Sequence, residues 1–302
     1  MLITFIINPI KKLHPKDGSM ELARVACERG HEVILIEEGD IRYETEEILS
    51  EFYNFPNLKK ENSLFDLSKS DVIMMRLDPP FNLNYVYHTY ILDKLKKLNS
   101  KIKIINPPGM LRSWNEKMAI LNFPKLIPPT MVAKKTDEIL SFSHKYAHGI
   151  ILKPLNEKGG SGITWLKPDD THQEKLKKIA TITKREKEFI MVQEYLKEAC
   201  EGDKRITVVN GKIINCILRV PKKDDFRGNI SQGATGHPST VTEKELKAVK
   251  IIIKELKKQK IFFAGLDFIG ERLTELNITS PIVGFTIFKG SGEKIIKELE
   301  KI

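Results

Sequence analysis

Apolar and polar positions in the first third of this chain switch between strand and helix rhythms. Leu2 to Asn8 is a β-rich apolar run that reads as a first strand. Ser19 to Arg29 then carries Met20, Ala23, Ala26 and Cys27 at helical spacing and stops at Gly30, a residue suited to the left-handed turn that ends helices. Glu32 to Ile36, Asp71 to Met75 and Ile102 to Ile105 are further short apolar runs. Asn84 to Leu98 between them predicts a helix with Val86, Tyr90, Ile91, Leu95 and Leu98 on or near one face. Strands alternating with helices predict a mostly parallel sheet covered by helices on both sides. This α/β region has no G-x-G-x-x-G and no G-x-x-x-x-G-K-[ST] string, so it is not an obvious dinucleotide or P-loop domain.

Asn106-Pro107-Pro108-Gly109 interrupts the pattern and marks the first boundary. We divide the chain there into residues 1–113 and 114–302. The second part has an α+β pattern. It opens with a helical stretch from Ser113 to Asn122, a proline-rich segment from Pro124 to Pro129 and a strand near Met131. Strands follow at Ile150 to Lys153, Ile163 to Leu166, Ile190 to Gln193, Arg205 to Val209 and Lys212 to Leu218. Asn210-Gly211 is a hairpin signal. Thr242 and Glu245 form a capping box for a helix reaching about Gln259. Ala264 to Ile269 and Arg272 to Ile278 close the pattern as a strand pair.

Composition changes this picture little. The chain has 302 residues, 41% hydrophobic and 30% charged, which suits a globular protein of about two domains. Its three cysteines are widely spaced and form no metal or disulfide pattern, so a reducing cytoplasm is expected. No run approaches the ~18 apolar residues of a membrane span, and no membrane partner is expected. The formal net charge is +10. Because lysines interleave with glutamates, as over 244–260, we expect a solvated helix face and anionic small substrates rather than nucleic acid.

Four constellations carry chemistry. Lys153 ends a strand and is followed by Gly159-Gly160-Ser161-Gly162. Glycines let backbone N–H groups approach a phosphate, and the lysine adds a compact charge; an ordinary glycine hairpin would give the same string. Glu275 and Asn277 lie two residues apart on one strand face, with Asp267 on the strand before. Three such oxygen donors suit Mg²⁺, phosphates and water completing its shell. The alternative is a solvent-facing acidic edge, which gives no reason for a neutral amide at 277. Arg205, Arg219 and Arg227, with Asn229, suit carboxylates and phosphoryl groups, or surface salt bridges. Arg76-Leu77-Asp78-Pro79-Pro80-Phe81 follows a strand, where open α/β sheets bind ligands; a rigid Pro-Pro loop is the plainer account.

In this order, these pieces resemble the bacterial glutathione synthetases of the ATP-grasp superfamily. The matching strings are Arg76-x-Asp78-Pro79-Pro80-Phe81, Asn115-Glu116-Lys117, Ile151 to Pro154, Gly202-Asp203-Lys204-Arg205, Arg227-Gly228-Asn229 and Leu273 to Pro281. The resemblance runs from the first strand to Pro281. It implies a pre-ATP-grasp domain, then an ATP-grasp domain whose lid subdomain (about 117–194) and C-terminal subdomain (about 195–302) clamp ATP. By similarity, Lys117 and Lys153 contact ATP phosphates under the loop Gly159, Gly160, Ser161 and Gly162. Gln193, Glu194, Tyr195 and Leu196 form the adenine hinge, and Asp203 belongs to the ATP site. Asp267, Glu275 and Asn277 hold Mg²⁺, or Mn²⁺ in its place. Arg76, Asp78, Arg219, Arg227, Asn229 and Gly233 meet substrate, and Arg205, Arg219 and Arg227 serve the phosphoryl transfer. The 227–237 loop is a lid.

The implied reaction joins γ-glutamylcysteine to glycine through an acylphosphate, releasing ADP and phosphate, in a cytoplasmic homo-oligomer. Three departures concern the family pattern. Gly233-Ala234 replaces Gly-Gly, Gly270-Glu271 replaces Gly-Asp, and Ile282 to Phe288 replaces the usual continuation through an Arg-Glu pair. Other outcomes to weigh are an ATP-grasp ligase with a different acceptor amine, a non-catalytic nucleotide-binding regulator, and a basic nucleic-acid binder.

Overall fold

The computed structural model describes residues 1–302 apart from Pro15, Lys16, Pro79, Asp224, Ile282 and Val283. Pro79 of the D-P-P-F string and Ile282-Val283 of the divergent tail therefore lie outside the described residues.

The opening apolar run forms β1 (Leu2–Ile7), followed by α1 (Gly18–Glu28) and β2 (Glu32–Glu37). The Asp17 carboxylate caps α1, accepting from the Ser19 and Met20 N–H groups at 2.8 and 3.3 Å, which satisfies two of the donors a helix start leaves open. Short strands follow: β3 (Arg42–Glu44), β4 (Glu47–Ser50), β5 (Tyr53–Asn54), β6 (Lys59–Lys60) and β7 (Phe65–Asp66). Then come β8 (Val72–Met75), α2 (Leu83–Leu98), β9 (Lys103–Ile105) and α3 (Pro108–Ser113). The main sheet has the order β6-β5-β2-β1-β8-β9. Its β2-β1-β8-β9 part is parallel, and β5 and β6 add antiparallel strands.

Strand alternation splits the apolar side chains between two layers. Ile3, Phe5, Ile7, Val33 and Leu35 cluster with α1 and with the last helix, α7 (Ser291–Leu299). Ile6, Ile34, Ile36, Ile73 and Met75 pack on the other side with Tyr85, Leu92 and Leu95 of α2. The buried face of α2 is Tyr85, Thr89, Leu92 and Leu95, while Tyr90 and Leu98 are exposed. The face expected from apolar spacing is thus rotated, because buried Thr89 is invisible to a hydrophobic count.

The helix expected over Ser113 to Asn122 is also different. The α-helix ends at Ser113, and a 3₁₀ turn occupies Met118–Asn122. Between them, Asn115 Oδ1 accepts from the Lys117 and Met118 N–H groups at 3.0 and 3.2 Å. That side chain competes with the helical carbonyls and reorients the chain.

The lid region contains β10 (Thr130–Ala133), α4 (Thr136–Ser143), β11 (Ile150–Pro154), β12 (Thr164–Leu166), α5 (His172–Ile182) and β13 (Ile190–Glu194). Its antiparallel sheet has the order β10-β13-β11-β12, and Ile139 and Ile179 of the two helices pack on it. The last region contains β14 (Asp203–Val209), β15 (Lys212–Val220), β16 (Thr235–Pro238), α6 (Glu243–Lys258), β17 (Phe263–Ile269) and β18 (Arg272–Asn277). This sheet has the order β16-β15-β14-β17-β18. The expected hairpin at Asn210-Gly211 has both residues at positive φ, 50° and 70°, and the Thr242/Glu245 capping box forms in both directions.

Buried Asn106 joins the first sheet to the last. Its amide donates to the Phe263 and Ile278 carbonyls, both at 2.7 Å, and accepts from the Phe262 and Phe263 N–H groups. Four bonds from one side chain fix how the sheets meet. Among the described residues no helix is long and apolar enough to cross a membrane.

Candidate active site

The antiparallel register of the last sheet decides which polar side chains meet. Asp267 lies opposite both Arg205 and Glu275, Asn277 lies opposite Gly265, and Asp203 lies opposite Arg219. Opposed residues share a face. One face therefore carries Asp203, Arg205, Arg219, Asp267, Glu275 and Asn277.

Within that face the arginines are paired with carboxylates. Arg205 donates to both Asp267 oxygens, the Nη2 bond measuring 2.7 Å. Arg219 donates to both Asp203 oxygens at 2.6 Å and to Asp267 Oδ2 at 2.8 Å. All four residues are buried. Burial alone would raise the Asp267 pKa, but the two guanidiniums outweigh it and hold the carboxyl far below the usual range. The salt bridging weighed for these arginines is present, but in the interior and not at the surface. Asp267 reaches the expected face with both oxygens already taken.

Two lysines behave differently. Lys117 Nζ donates to Glu116 Oε1 at 2.6 Å and to the Glu157 carbonyl at 2.7 Å. Burial opposes its charge, but Glu275 and Glu116 outweigh burial and raise its pKa. Lys153 is 7% exposed, and among the described residues its ammonium has a single long contact, 3.5 Å to the Thr274 carbonyl. Burial pushes its pKa down. A buried ammonium with so little compensation is costly, and an incoming anion would relieve that cost. Glu275 faces both lysines closely enough to act on their charge, yet no hydrogen bond reaches its carboxylate among the described residues.

Glu116 is the residue sequence reasoning missed, although its neighbour Lys117 was singled out. It binds Lys117 through one oxygen and accepts from Asn277 Nδ2 at 3.3 Å through the other. Its own carbonyl accepts from the Leu276 N–H at 2.9 Å. Burial, then the charge of Glu275, raises its pKa. The only sequence signal was its place in Asn115-Glu116-Lys117.

The glycine-rich turn lies directly under the 227–234 loop. Ser231 Oγ and Gln232 Nε2 donate to the Gly159 carbonyl at 2.8 and 3.2 Å, and Arg227 Nη1 donates to the Gly160 carbonyl at 3.4 Å. A Cβ at Gly160 would stand 2.4 Å from Asn229 Oδ1, and Gly160 has φ +79°. Any other residue would both strain the turn and push the loop away. Ser161 and Gly162 continue the turn, and Gly233 ends the loop's 3₁₀ turn in a left-handed conformation. Arg227 also pairs with Asp225 at 2.9 Å.

Between the lid sheet and the last sheet lies a cavity lined by residues including Lys153, Gln193, Tyr195, Asp203, Asn229 and Glu275, with Glu194, Leu196 and Arg227 also on its wall. Gln193 is buried. Its amide donates to Thr130 Oγ1 at 3.0 Å, while its carbonyl oxygen has no partner among the described residues. Trp165 stacks on Tyr195 with centroids 4.1 Å apart, and Phe226 meets both edge-on. This aromatic group was not legible in sequence, since its three members come from separate segments.

Arg76 and Asp78 part company. Arg76 is buried at the seam with the last region, donating to Ser19 Oγ and the Pro281 carbonyl, both at 3.3 Å, and it lines neither cavity described here. Asp78 lies at the rim of a second cavity and pairs with Lys158 at 2.5 Å.

Two sheets enclosing a lysine-bearing cavity, with a glycine-rich turn under a closed loop, make up the ATP-grasp fold. Solved structures with this fold include D-cycloserine synthetase DcsG, with a TM-score of 0.71 and 11% identity over 99% of each chain. Another is the ATP-grasp ligase PsnB complexed with minimal precursor, Mg and ADP. It has a TM-score of 0.65 and 15% identity, covering 99% of this chain and 96% of that one.

The chain belongs to the prokaryotic glutathione synthetase family and is an ATP-dependent ligase. The family's N-terminal domain model matches residues 1–112, and its ATP-grasp domain model matches residues 116–289. Relatives include glutathione synthetases of Prochlorococcus marinus, 33% identical over the whole of both chains, and of Synechocystis, 35% identical over 100% of this chain and 99% of the relative.

Proposed function

We propose that this ligase joins γ-glutamylcysteine to glycine, and that its domains divide at residues 113 and 114. The observation that carries the site assignment is the pair of unmet charges. The buried Lys153 ammonium and the Glu275 carboxylate face the same cavity without a close hydrogen-bond partner for either among the described residues. A triphosphate answers the first. A divalent ion answers the second, with Glu275 and Asn277 as the residues that would hold it and Asp267 beside them. Glu275 offers carboxylate oxygens free of hydrogen bonds among the described residues, while Asn277 Oδ1 accepts from the Thr279 N–H and Oγ1 at 3.0 and 3.1 Å and would have to share that oxygen; an acid and an amide, with phosphate and water, fit a magnesium ion. When bound, that ion neutralises phosphate charge.

The dipeptide's terminal carboxylate oxygen attacks the γ-phosphorus of ATP. The bond to the bridging oxygen breaks, ADP leaves and an acylphosphate forms. The amine of glycine then attacks the acyl carbon, loses a proton and expels phosphate. Lys117 and Lys153 hold phosphate oxygens as charge shifts between them. The unpartnered Gln193 oxygen suits the amino group of adenine at the Gln193–Leu196 hinge. Arg227 and Asn229 close over the site from the loop, and Gly159 to Gly162 lie beneath. Excluding water matters because it would hydrolyse the acylphosphate. Arg205 and Arg219, neutralised by Asp203 and Asp267, hold the floor beneath the phosphoryl group rigid.

The test is to incubate the protein with Mg·ATP, γ-glutamylcysteine and a panel of amines, then read ADP and product mass. Glutathione formed with glycine alone is expected. A product carrying another amine would reassign the acceptor, the property nearest the divergent segment after Pro281.

Glu116 gives a second prediction. By holding the Asn277 amide and the Lys117 ammonium at once, it orients a metal residue and a phosphate residue together. Partners of metal ligands typically contribute about 10- to 100-fold in metal affinity. Glu116→Gln should raise the Mg²⁺ concentration needed for half-maximal rate by roughly that factor. An unchanged Mg²⁺ requirement would remove this role.

A further inference from the structure

We propose that Thr130 is a positioning residue. Its hydroxyl fixes which end of the Gln193 amide faces the nucleotide, and so makes the site favour a base with an amino group over one with an oxo group. The proposal rests on the ligase function above and adds what sets its choice of nucleotide.

Strand register brings the two residues together. Thr130 lies opposite Gln193 in the pairing of β10 with β13, and Gln193 lies opposite Ile151 in the pairing of β13 with β11. Opposed residues share a face, so the three form one row across the lid sheet. Lys153 is two residues beyond Ile151 on β11 and shares that face. Rows two residues apart are separated by about 7 Å along a strand, close enough for one nucleotide to meet both. Pro128, Ile151, Lys153 and Gln193 all line the cavity between the sheets.

Proton direction then fixes the amide. The proline-rich segment before β10 is rich in carbonyls and poor in donors, because proline has no N–H. Two of its carbonyls are met from outside it. That of Pro129 accepts from the Glu194 N–H at 3.1 Å, and that of Pro128 accepts from Thr130 Oγ1 at 2.7 Å. A hydroxyl has one proton and can otherwise only accept. With the Thr130 proton directed at Pro128, Gln193 must turn its NH₂ toward the hydroxyl oxygen, and Nε2 does donate to it at 3.0 Å. The amide oxygen is left over, on a side chain 2% exposed and with no partner among the described residues. Reversing the amide would set two acceptors against each other. It would otherwise take the proton from the Pro128 carbonyl, which no other donor reaches among the described residues.

A choice of base follows. A buried acceptor held in one orientation favours a donor opposite it. Adenine carries an amino group at its six-position, whereas hypoxanthine and guanine carry an oxygen there and would place acceptor against acceptor. Without the Thr130 hydroxyl the amide loses its fixed sense. Either orientation then leaves one amide group against an apolar side chain, so the two become comparable and Gln193 can offer its NH₂ to an oxo base.

Steady-state ligation by the full chain tests this, with γ-glutamylcysteine and glycine saturating, Mg²⁺ in excess and either ATP or ITP varied. ITP has an oxygen in place of the six-amino group, with a proton on N1. Wild type should prefer ATP in kcat/KM by about 10- to 100-fold, the scale of leaving one buried acceptor unmet. Thr130→Val, of similar shape without the hydroxyl, should cut that preference about tenfold. The cut should come chiefly from a rise in kcat/KM for ITP, a gain that an unfolded variant cannot give. Thr130→Ala, which cannot crowd the site, should shift in the same sense. Thr130→Ser keeps the hydroxyl and should keep the wild-type preference. A wild type that uses ATP and ITP equally, or valine and alanine variants that keep its preference, overturns the role of Thr130 and leaves the ligase function standing. A serine variant as relaxed as the valine one does the same. Failure of wild type to form ADP from ATP with this dipeptide and glycine overturns both.

Discussion

Lys153→Ala should lower the rate of ADP formation on the order of 10² to 10³, as loss of one preorganised charge donor does, while the protein stays folded. The two halves of this expectation have one cause. In the free protein the Lys153 ammonium is buried against a single 3.5 Å contact, so it contributes desolvation and little bonding. Removing it takes away a buried charge and leaves a small void, and thermal unfolding should move by only a few degrees. With triphosphate present the same ammonium meets its counter-charge in a site closed to water, where a charge counts for most. Glu275→Ala should give a similar loss by a different route, since its carboxylate has no hydrogen bond to forfeit but is placed to hold the metal ion. Rates of ADP release beside melting curves of both variants check this. Normal turnover in either variant would remove that residue from the site.

Asp267→Ala should destabilise the fold by roughly 3–5 kcal/mol, the usual cost of removing one partner from a buried ion network. Asp267 accepts from Arg205 and Arg219 together, and without it four guanidinium and carboxylate groups become two cations against one acid. An exposed pair such as Arg24–Glu28 should by contrast cost about 0–1 kcal/mol when broken. The difference should also depend on pH with a definite sign. The Asp267 carboxyl is held below its ordinary range in the folded chain. Its contribution is therefore complete above the unfolded aspartate pKa of about 4 and fades as pH falls below it. Denaturant melts of wild type and variant should draw together in acid. A constant gap between pH 7 and pH 3 would show that packing, not charge, is what the variant loses.

Much of the fold was legible because local chemistry and tertiary structure agree. Asn210-Gly211 takes the positive φ values its hairpin requires, and Thr242 and Glu245 cap α6. Helices α4 and α5 are absent from the sequence reading, although Thr171 and Glu174 form a capping box at the start of α5. Their apolar faces are narrow, with one fully buried residue each. The glycine-rich turn, Lys153 and the acid-amide pair were legible as types of residue in order. Their conjunction with Glu116, Gln193 and the Trp165–Tyr195–Phe226 group was not, because the contacts join residues up to about 160 positions apart in the chain.

The sequence by itself determined the alternating βα start, the hairpins and caps, the ligase family and which side chains could handle phosphate and metal. Those properties follow from short-range periodicity, turn stereochemistry and side-chain functional groups, all of which act over a few residues. Tertiary structure alone decided that Arg205 and Arg219 are neutralised by Asp203 and Asp267 while Lys153 and Glu275 remain unmatched. It also decided that Asp78 faces a cleft and Arg76 a seam. The physical reason is that the strength of a charge depends on its distance to other charges and on the water excluded around it, and strand register and sheet packing set both.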